Sequence, residues 1–306
     1  MPKASIVIPS RGGRERLPMV LAAFGNQTEP DFEVIVVVDG DIDDSAAVLA
    51  GLTTGFPLST IIFPENRGRP AALNAGFAAA KGDVLIRCDD DLEVDPDFVA
   101  TLVRYHGDPD RPTGVIGMCQ DVFRPETRYA QVYGIAADAD IRRVTPLIPE
   151  DRVWRAWSAV VAVTRETFDR VGDYDERYRR YGWEDVDWGY RAHLAGVRIV
   201  VEPRTIALHH NPARTTRERT TKALASGASR GTFEQIHGDG VLRGDQRPRS
   251  AWNTLVTATS KVLNDTTVGP LTSAVDAVIR VLPQWPARKL VALMVEAAGA
   301  KTSSRR

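Results

Sequence analysis

Short apolar runs rich in β-branched residues alternate with polar turns over the first 120 residues. Five runs predict β-strands, at residues 5–8, 33–38, 59–63, 84–87 and 115–118. Between them, residues 14–24 place apolar side chains at three- and four-residue intervals, and residues 69–81 end at Gly82, a residue type that terminates helices. Strands that alternate with helices predict an α/β fold with a mostly parallel central sheet flanked by helices.

The pattern changes from about residue 150. Strands are predicted at residues 154–163 and 197–201, and helices at residues 165–171 and 184–195. Beyond residue 213 a Thr- and Arg-rich stretch precedes apolar clusters, from Trp252 to Val295, that predict helices. We therefore expect three parts, with bounds 1–120, 121–212 and 213–306.

Polar residues follow each of the first four predicted strands. They are Pro9, Ser10 and Arg11 after the first, Asp39, Gly40 and Asp41 after the second, Asn66 to Arg69 after the third, and Asp89, Asp90 and Asp91 after the fourth. Open α/β sheets bind ligands beyond the carboxyl ends of their strands. The four strand ends are therefore expected to converge on one crevice.

Three consecutive carboxylates directly after a buried strand repel one another unless a cation lies between them. A divalent ion such as Mg²⁺ or Mn²⁺, completed by phosphate oxygens and water, would relieve the repulsion between Asp89, Asp90 and Asp91. The alternative is a solvated acidic turn. The preceding strand and the aligned strand ends favour the metal site.

Composition adds few constraints. The chain is 43% hydrophobic and 26% charged with a net charge of -1, so no overall field favours nucleic acid. Cys88 and Cys119 are the only cysteines, which excludes a disulfide framework and a cysteine-rich zinc site. The first apolar run is too short for a signal-peptide core, and none reaches the roughly 18 residues of a membrane span. We expect a cytoplasmic protein, with peripheral contact at the inner face of the membrane as the alternative.

The segment from Asn66 to Asp91 resembles glycosyltransferase family 2 in residue order and spacing. Four further stretches share the resemblance, at residues 5–10, 36–40, 172–176 and 182–187. The resemblance implies a GT-A fold and an inverting transfer from a nucleoside diphosphate sugar with Mn²⁺ or Mg²⁺. In these terms the first part becomes the nucleotide-sugar-binding half, the second the acceptor-binding and catalytic half, and the third a basic linker with a helical extension.

Donor contacts are carried over by position. The resemblance implies that the nucleotide and the rest of the donor contact eight residues, namely Pro9, Ser10, Arg11, Asp39, Asn66, Gly68, Asp89 and Asp90. Asp39 matches the carboxylate that contacts the base, and the alternative for Asn66 and Gly68 is a plain turn. Leu73 replaces a frequent arginine of the family, which leaves the diphosphate to the metal and to Arg11, Arg67 or Arg69.

Metal ligands follow from the same resemblance. Asp89 and Asp91 form the Asp-x-Asp pair, in which the last aspartate contacts the metal and the first lies near the ribose or sugar. His209 and His210 stand where the family places a histidine ligand, and we favour His209.

The acidic residues at the start of the predicted helix 184–195 have two interpretations. Glu184 and Asp185 would stabilise the helix through its dipole, and Asp187 would pair with Arg191 at i+4. In the resemblance, Asp185 is instead the catalytic base and Glu184 contacts the acceptor.

Tryptophans near these acids are further candidates. Trp183 and Trp157 are predicted to contact the acceptor, and Trp188 would stack on a sugar face in the same way. The alternative is that these rings belong to the core.

Other classes of protein remain as alternatives. A nucleotidyltransferase would need a phosphate loop that residues 10–14 imitate poorly, and a non-catalytic sugar- or nucleotide-binding module would not need both acidic motifs. An oxidoreductase is disfavoured because no Gly-x-Gly-x-x-Gly follows a strand.

The expected partners are the donor and a saccharide, lipid-linked or other hydroxyl acceptor, without nucleic acid. The tail from residue 241 to 306 holds ten Lys or Arg against four acidic residues. Its helices would pack on the catalytic lobe, on a second subunit in a homo-oligomer, or on an anionic membrane. We favour packing through Val275, Val278, Ile279 and Leu282.

Overall fold

A computed structural model describes residues 1–108, 110–124, 126–179, 182–242 and 250–301. Two compact units are present. The sheet unit contains residues 1–122, 141–176 and 184–211, and the helical unit contains residues 123–140, 177–183 and the chain from residue 212 onward. Five cations of the basic tail, at positions 243, 247, 249, 305 and 306, lie outside the described residues. The three predicted parts stay a prediction.

The strands are β1 Ala4–Ser10, β2 Phe32–Asp39, β3 Leu58–Phe63, β4 Val84–Cys88, β5 Leu92–Glu93, β6 Thr113–Asp121, β7 Val160–Thr164 and β8 Arg198–His209. The helices are α1 Leu17–Phe24, α2 Ser45–Gly51, α3 Arg69–Ala79, α4 Phe98–Val103, α5 Ile135–Val144, α6 Arg165–Val171, α7 Trp183–Leu194, α8 Thr216–His237, α9 Ala251–Val262, α10 Val268–Val278 and α11 Gln284–Ala300.

The described strands form one sheet in the order β3-β2-β1-β4-β7-β6-β8-β5. Parallel pairs join β3, β2, β1 and β4, and also join β6 to β8. Antiparallel pairs join β4 to β7, β7 to β6 and β8 to β5. The predicted α/β class with a helical extension is confirmed, and the antiparallel pairs belong to its second half.

Burial explains why the first half forms as predicted. Every residue of β1 and β2 is buried, as expected for central strands covered on both faces. Helix α1 buries Leu17, Val20, Leu21 and Phe24, the positions that its spacing indicated. Helix α3 lies close to the sheet at Gly76, where an added Cβ would meet Val37 Cγ2 at 3.2 Å and clash with Val7.

Two predicted strands have different bounds. Residues 154–163 do not form one strand, because Val153–Ala156 is a 3-10 turn and β7 begins only at Val160. The strand predicted at 197–201 continues to His209. The pairing with β6 shifts after Gly117, whose partner is Glu202, so that the next pair is Met118 with Ile206. Pro203 lies in this irregularity and interrupts the sequence pattern of the strand.

The helical unit has its own apolar core. Helices α8 to α11 contribute Leu224, Val256, Val275, Val291 and Met294 to it, and Ile279, directly after α10, belongs to the same core. Val275 and Ile279 therefore pack inward and Leu282 lies against the same cluster, whereas Val278 is 42% exposed. Among the described residues, no helix combines the length and apolar character that a bilayer crossing requires.

Candidate active site

Asp90 joins the ends of β1 and β4. Its Oδ2 atom accepts hydrogen bonds from Ser10 Oγ at 2.5 Å and from Arg16 Nη2 at 2.8 Å. Burial raises the pKa of Asp90, partly opposed by these two bonds. Gly13 makes the arrangement fit, since an added Cβ would lie 2.9 Å from Asp90 Oδ2 and against Ser10 Oγ. Ser10 and Asp90 were both predicted to contact the sugar-nucleotide donor. Their hydrogen bond connects the ends of β1 and β4 at the crevice.

Asp39 shapes the loop after β3. Its two carboxylate oxygens accept the backbone N–H groups of Arg67 at 2.6 Å and Gly68 at 2.9 Å. Asn66 Oδ1 accepts the same Gly68 N–H at 3.0 Å, and Gly68 has a φ of +93°. Asn66 and Gly68 therefore form a turn, and Asp39 fixes that turn at the carboxyl ends of β2 and β3.

The remaining predicted donor residues lie at the same edge of the sheet. Pro9 is buried within β1, whereas Arg11 is exposed just after it. The Arg67 guanidinium lies 4.6 Å from the ring centre of Phe63. Leu73, which replaces the frequent arginine of the family, is fully buried in α3.

Asp91 and His209 face each other across the pairing of β5 with β8. His209 Nε2 lies 3.3 Å from Asp91 Oδ2, and His209 Nδ1 lies 2.6 Å from Asp121 Oδ1 at the end of β6. Burial lowers the pKa of His209, but the bonds to Asp121 and Asp91 outweigh burial and raise it to about 9. The imidazole is therefore held between two carboxylates.

His210 has a different environment. Its Nε2 atom lies 2.7 Å from Glu93 Oε2, and its backbone N–H donates to the carbonyl of Asp91 at 3.0 Å. The side chains of Asp91 and His210 are thus not paired. Among the described residues, no group of three or more His, Cys, Asp or Glu side chains is arranged to hold a metal ion.

The pair formed by Asp91 and His209 nevertheless fits a divalent cation that takes its other ligands from substrate. Carboxylate oxygen and imidazole nitrogen suit Mn²⁺, and Mg²⁺ sites commonly use one or two carboxylates with phosphate oxygens and water. The bond from Asp121 to the second ring nitrogen is the outer support that metal-ligating histidines usually have. Asp121 and Glu93 were missed by the sequence interpretation, because their roles depend on strand pairing.

Arg87 is a buried cation on β4 that the sequence interpretation also missed. Its side chain is 1% exposed, its Nε lies 2.9 Å from Asp89 Oδ1, and its Nη1 forms an ion pair with Asp185 Oδ1. Burial alone would lower the pKa of Arg87, but Asp185 and Asp89 raise it well above its usual value. The available signal was an arginine within an otherwise apolar strand, since a buried charge requires partners. Asp89, a predicted metal ligand, instead pairs with Arg87 here.

Glu184 and Asp185 are buried at the start of α7, at 2% and 6% exposure. Glu184 Oε1 lies 3.3 Å from Arg69 Nη1, and burial raises the pKa of Asp185 to about 7 against the opposing charge of Arg87. If Glu184 and Asp185 lay at a solvent-exposed helix start, their side chains would not be buried. Asp187 does form the predicted i,i+4 pair, at 2.8 Å from Arg191 Nε.

Trp157 and Trp188 are buried in the sheet unit, whereas Trp183 is half-buried in the helical unit. Trp157 is 2% exposed, stacks on Trp188 with ring centres 4.9 Å apart, and donates from Nε1 to Tyr174 OH at 3.2 Å. Its ring has no free face for a sugar, so the predicted acceptor contact of Trp157 does not fit its packing. Trp183 donates from Nε1 to Ser226 Oγ at 3.1 Å and packs on Phe233 inside the helical unit.

Solved structures share this fold. The chain aligns with a mannosyltransferase from Pyrobaculum calidifontis, solved in complex with GDP-Man and Mn²⁺, at a TM-score of 0.64 with 18% identity, covering 97% of this chain and 86% of that one. S. aureus TarS 1-349 in complex with UDP aligns at a TM-score of 0.53 with 14% identity, covering 96% and 90%. The mixed sheet with its flanking helices is therefore of the GT-A class.

Sequence comparison gives the family. The model described as glycosyl transferase family 2 matches residues 5–174, and one described as the N-terminal domain of galactosyltransferase matches residues 142–211. The chain belongs to glycosyl transferase family 2.

Two relatives illustrate the range of the family. A Pseudomonas savastanoi protein named undecaprenyl-phosphate 4-deoxy-4-formamido-L-arabinose transferase is 31% identical over 77% of this chain and 59% of its own length. A Streptomyces hygroscopicus validoxylamine A glucosyltransferase is 25% identical over 66% and 54%. The chain thus spans less than two thirds of the length of these curated relatives.

Proposed function

We propose that this protein is an inverting glycosyltransferase that moves a sugar from a nucleoside diphosphate to an acceptor hydroxyl. The observation that carries the proposal is the buried carboxylate of Asp185, with a pKa raised to about 7, at the edge of the sheet where Arg87 also holds Asp89. Family membership supports the same assignment.

The proposed reaction is a single displacement. Asp185 takes the proton of the acceptor hydroxyl, the acceptor oxygen bonds to the anomeric carbon, and the bond from that carbon to the phosphate oxygen breaks. The nucleoside diphosphate leaves with the electron pair from the opposite face, so the configuration inverts. A carboxylate whose pKa lies near the working pH is well matched to general-base catalysis.

The leaving diphosphate needs positive charge. A divalent cation held by Asp91 and His209 would supply Lewis-acid stabilisation of the leaving group. Arg69 and Arg87 supply fixed cations beside Glu184 and Asp185. The GT-A structure of the mannosyltransferase contains both GDP-Man and Mn²⁺, which supports a metal ion as the partner of the diphosphate here.

Asp185 also favours an alcohol acceptor over a phosphate acceptor. An ionised phosphate already carries the nucleophilic oxygen and needs no base, whereas a hydroxyl needs one. A saccharide or a lipid-linked saccharide with a free hydroxyl therefore fits the site better than a bare lipid phosphate.

The test is a screen of nucleoside diphosphate sugars for donor hydrolysis and transfer, with Mn²⁺, with Mg²⁺ and with a chelator. We expect turnover of one donor class that the chelator removes and that Asp91→Asn and His209→Ala each suppress, while Glu93→Gln, beside His210, retains it. Release of pyrophosphate from a nucleoside triphosphate and a sugar phosphate would instead assign a nucleotidyltransferase. Donor binding without any turnover would assign a non-catalytic module.

A further inference from the structure

A cavity of about 820 Å³ lies in the helical unit, beside the first turns of α8 and the second half of α10. Its walls include three basic side chains and three hydroxyl-bearing ones, from Arg217, Lys222, Arg280, Thr215, Thr221 and Ser273. All of its lining residues belong to the helical unit, and none of them is a residue of the candidate active site.

Two acidic residues also line the cavity, so three basic residues leave it a formal excess of one positive charge, and both carboxylates accept hydrogen bonds from the backbone. Glu218 Oε2 accepts the N–H of Arg214 at 2.7 Å, and Asp276 Oδ1 accepts the N–H of Thr216 at 2.9 Å. Both bonds serve the start of α8, where backbone N–H groups have no partner within the helix. Within the described ranges of the chain, no ion pair joins the three basic side chains of the cavity to a carboxylate.

Exposed apolar side chains follow directly after one of these cations. Val281 is 83% exposed and Trp285 is 71% exposed, at the corner between α10 and α11. Arg128 fixes the corner, with its Nε donating to the carbonyl of Ile279 at 3.1 Å and its Nη2 donating to that of Leu282 at 2.8 Å. Because Ile279 is itself 1% exposed in the core, the corner presents Val281 and Trp285 outward in a fixed position.

We propose that this face binds an anionic membrane surface, with a lipid phosphate in the cavity and with Val281 and Trp285 in the interfacial layer. Clustered Lys and Arg side chains attract anionic headgroups, and tryptophan favours the boundary between headgroups and acyl chains. A soluble anion would account for the cations alone. The two exposed apolar side chains beside Arg280 are the feature that a lipid bilayer matches and a free phosphate does not.

The proposal separates the two faces of the C-terminal helices. The inward face, with Val275 and Ile279, packs in the core of the helical unit itself. The outward corner would contact lipid without any spanning helix. This binding does not depend on the proposed transfer reaction, because none of its residues belongs to the candidate active site.

The test is sedimentation of the full chain with vesicles of phosphatidylglycerol and phosphatidylcholine, compared with vesicles of phosphatidylcholine alone. The double variant Arg217→Ser with Arg280→Ser should weaken binding to the anionic vesicles by roughly 25-fold, at about fivefold for each cation near the surface. Trp285→Ser should weaken it severalfold. Wild-type binding should fall as salt rises, since salt screens the headgroup charge.

Matched control variants distinguish the effect of where a side chain lies from the effect of the net charge of the protein. The double variant Lys261→Ser with Arg198→Ser removes the same two charges from exposed positions elsewhere, and Leu147→Ser removes an apolar side chain that is 73% exposed. Both should bind anionic vesicles within twofold of wild type. All variants should keep the wild-type melting temperature and donor hydrolysis in the absence of vesicles.

Several results would overturn the proposal. They are wild-type protein that ignores anionic vesicles, a cavity double variant that binds as well as its charge-matched control, and calorimetric binding of inorganic phosphate or an acidic protein at the cavity without vesicle binding. If the wild-type protein binds anionic vesicles but turns over no donor, the proposed function is refuted and this inference is not affected.

Discussion

At the scale of single residues, the environment of Asp185 determines how well its carboxylate could serve as the proposed base. Its carboxylate is buried beside Glu184 and opposite Arg87, and burial dominates its pKa. A carboxylate in ordinary solvent would be a weaker base near neutral pH. In the proposed reaction, the site would therefore combine a carboxylate that accepts a proton with cations that keep it ionised above about pH 7.

Replacing Asp185 by Asn should remove proton acceptance while keeping the shape of the side chain. We expect kcat to fall by roughly 10² to 10⁴, with donor affinity unchanged within a few fold. Initial-rate kinetics and donor titration measure the two effects. Asp187→Asn is the matched control on the same helix, because Asp187 pairs with Arg191. Wild-type turnover in Asp185→Asn would exclude it as the base.

The pH profile of kcat/KM follows from the same group. Since the proposed base must be ionised, kcat/KM should rise with pH through about 7, where the raised pKa of Asp185 lies, and should level off above it. The rise should disappear from the residual activity of Asp185→Asn. A limb that persists in this variant would belong to a different group.

At the scale of elements, the end of β1 is tied to the end of β4 through Ser10, Asp90 and Arg16. Gly13→Ala would place a methyl group against this tie. We expect a loss of about 1 to 3 kcal/mol in the free energy of unfolding, measured by urea titration, because overpacking displaces the neighbours. Gly51→Ala is the control, since no atom lies within 4 Å of its added Cβ. Equal stability of both variants would contradict the close fit.

A second element-level prediction concerns the short turn Arg104–His106. Both ring nitrogens of His106 are buried without a hydrogen-bond partner in the described part of the chain, and burial lowers the pKa of His106 to about 4. The unfolded chain, with a pKa near 6.5, binds the proton more readily, so stability is complete above about pH 6.5 and falls as the pH drops toward 4.

The expected loss is up to about 2 kcal/mol near pH 5. His106→Leu should remove this part of the pH dependence in chemical denaturation, whereas His193→Gln should keep it. An unchanged slope in His106→Leu would show that His106 is solvated in solution.

Much of the fold could be predicted because its elements follow simple periodicities. Helix α6 has the predicted bounds 165–171, and the first four strands overlap the predicted ones. The extension of β8 to His209 could not be predicted, because Pro203 interrupts the pattern at the pairing irregularity. Successive side chains of a strand point to opposite faces of the sheet. Because β8 continues to His209, this alternation explains why His209 and the following His210 have different partners.

Parts of the candidate site depended on three-dimensional partners. The polar strand ends indicated the crevice, but the partners of Asp89 and Asp90 lie at Arg87, Ser10 and Arg16. The burial of Trp157 likewise depends on its stacking with Trp188, which no local pattern encodes. Sequence spacing therefore predicted which residues lie at the candidate site, but the charged partners of these residues became known only from the folded structure.

At the scale of the whole molecule, ligands should stabilise the native state because the proposed ligand set forms only on folding. The proposed ligands Asp91 and His209, and Asp121 that supports His209, come from positions far apart in the chain. Mn²⁺ with a nucleoside diphosphate, at about 100 times the dissociation constant, should raise Tm by roughly 5 °C. Thermal denaturation of wild type and of His209→Ala measures the effect, and equal shifts in both would contradict the proposed ligand.

The same shift should depend on pH. His209, with its pKa raised to about 9, must lose a proton to bind a metal, so metal affinity should rise with pH below about 9. Calorimetry in buffers of different ionisation enthalpy would detect the released proton. A metal affinity that is constant between pH 6 and 8 would contradict the role of His209.

Arg87 touches Asp89 and Asp185 at once, and this sharing has a consequence for the order in which substrates add. In the proposed reaction, a diphosphate that binds beside Asp89 would compete for the Arg87 guanidinium and weaken the ion pair between Arg87 and Asp185. Asp185 would then be released to accept the proton of the acceptor hydroxyl only after the donor is bound, which predicts an ordered addition of the two substrates. Acceptor affinity, measured by calorimetry, should rise when a donor analogue is present, and Arg87→Lys should reduce that rise.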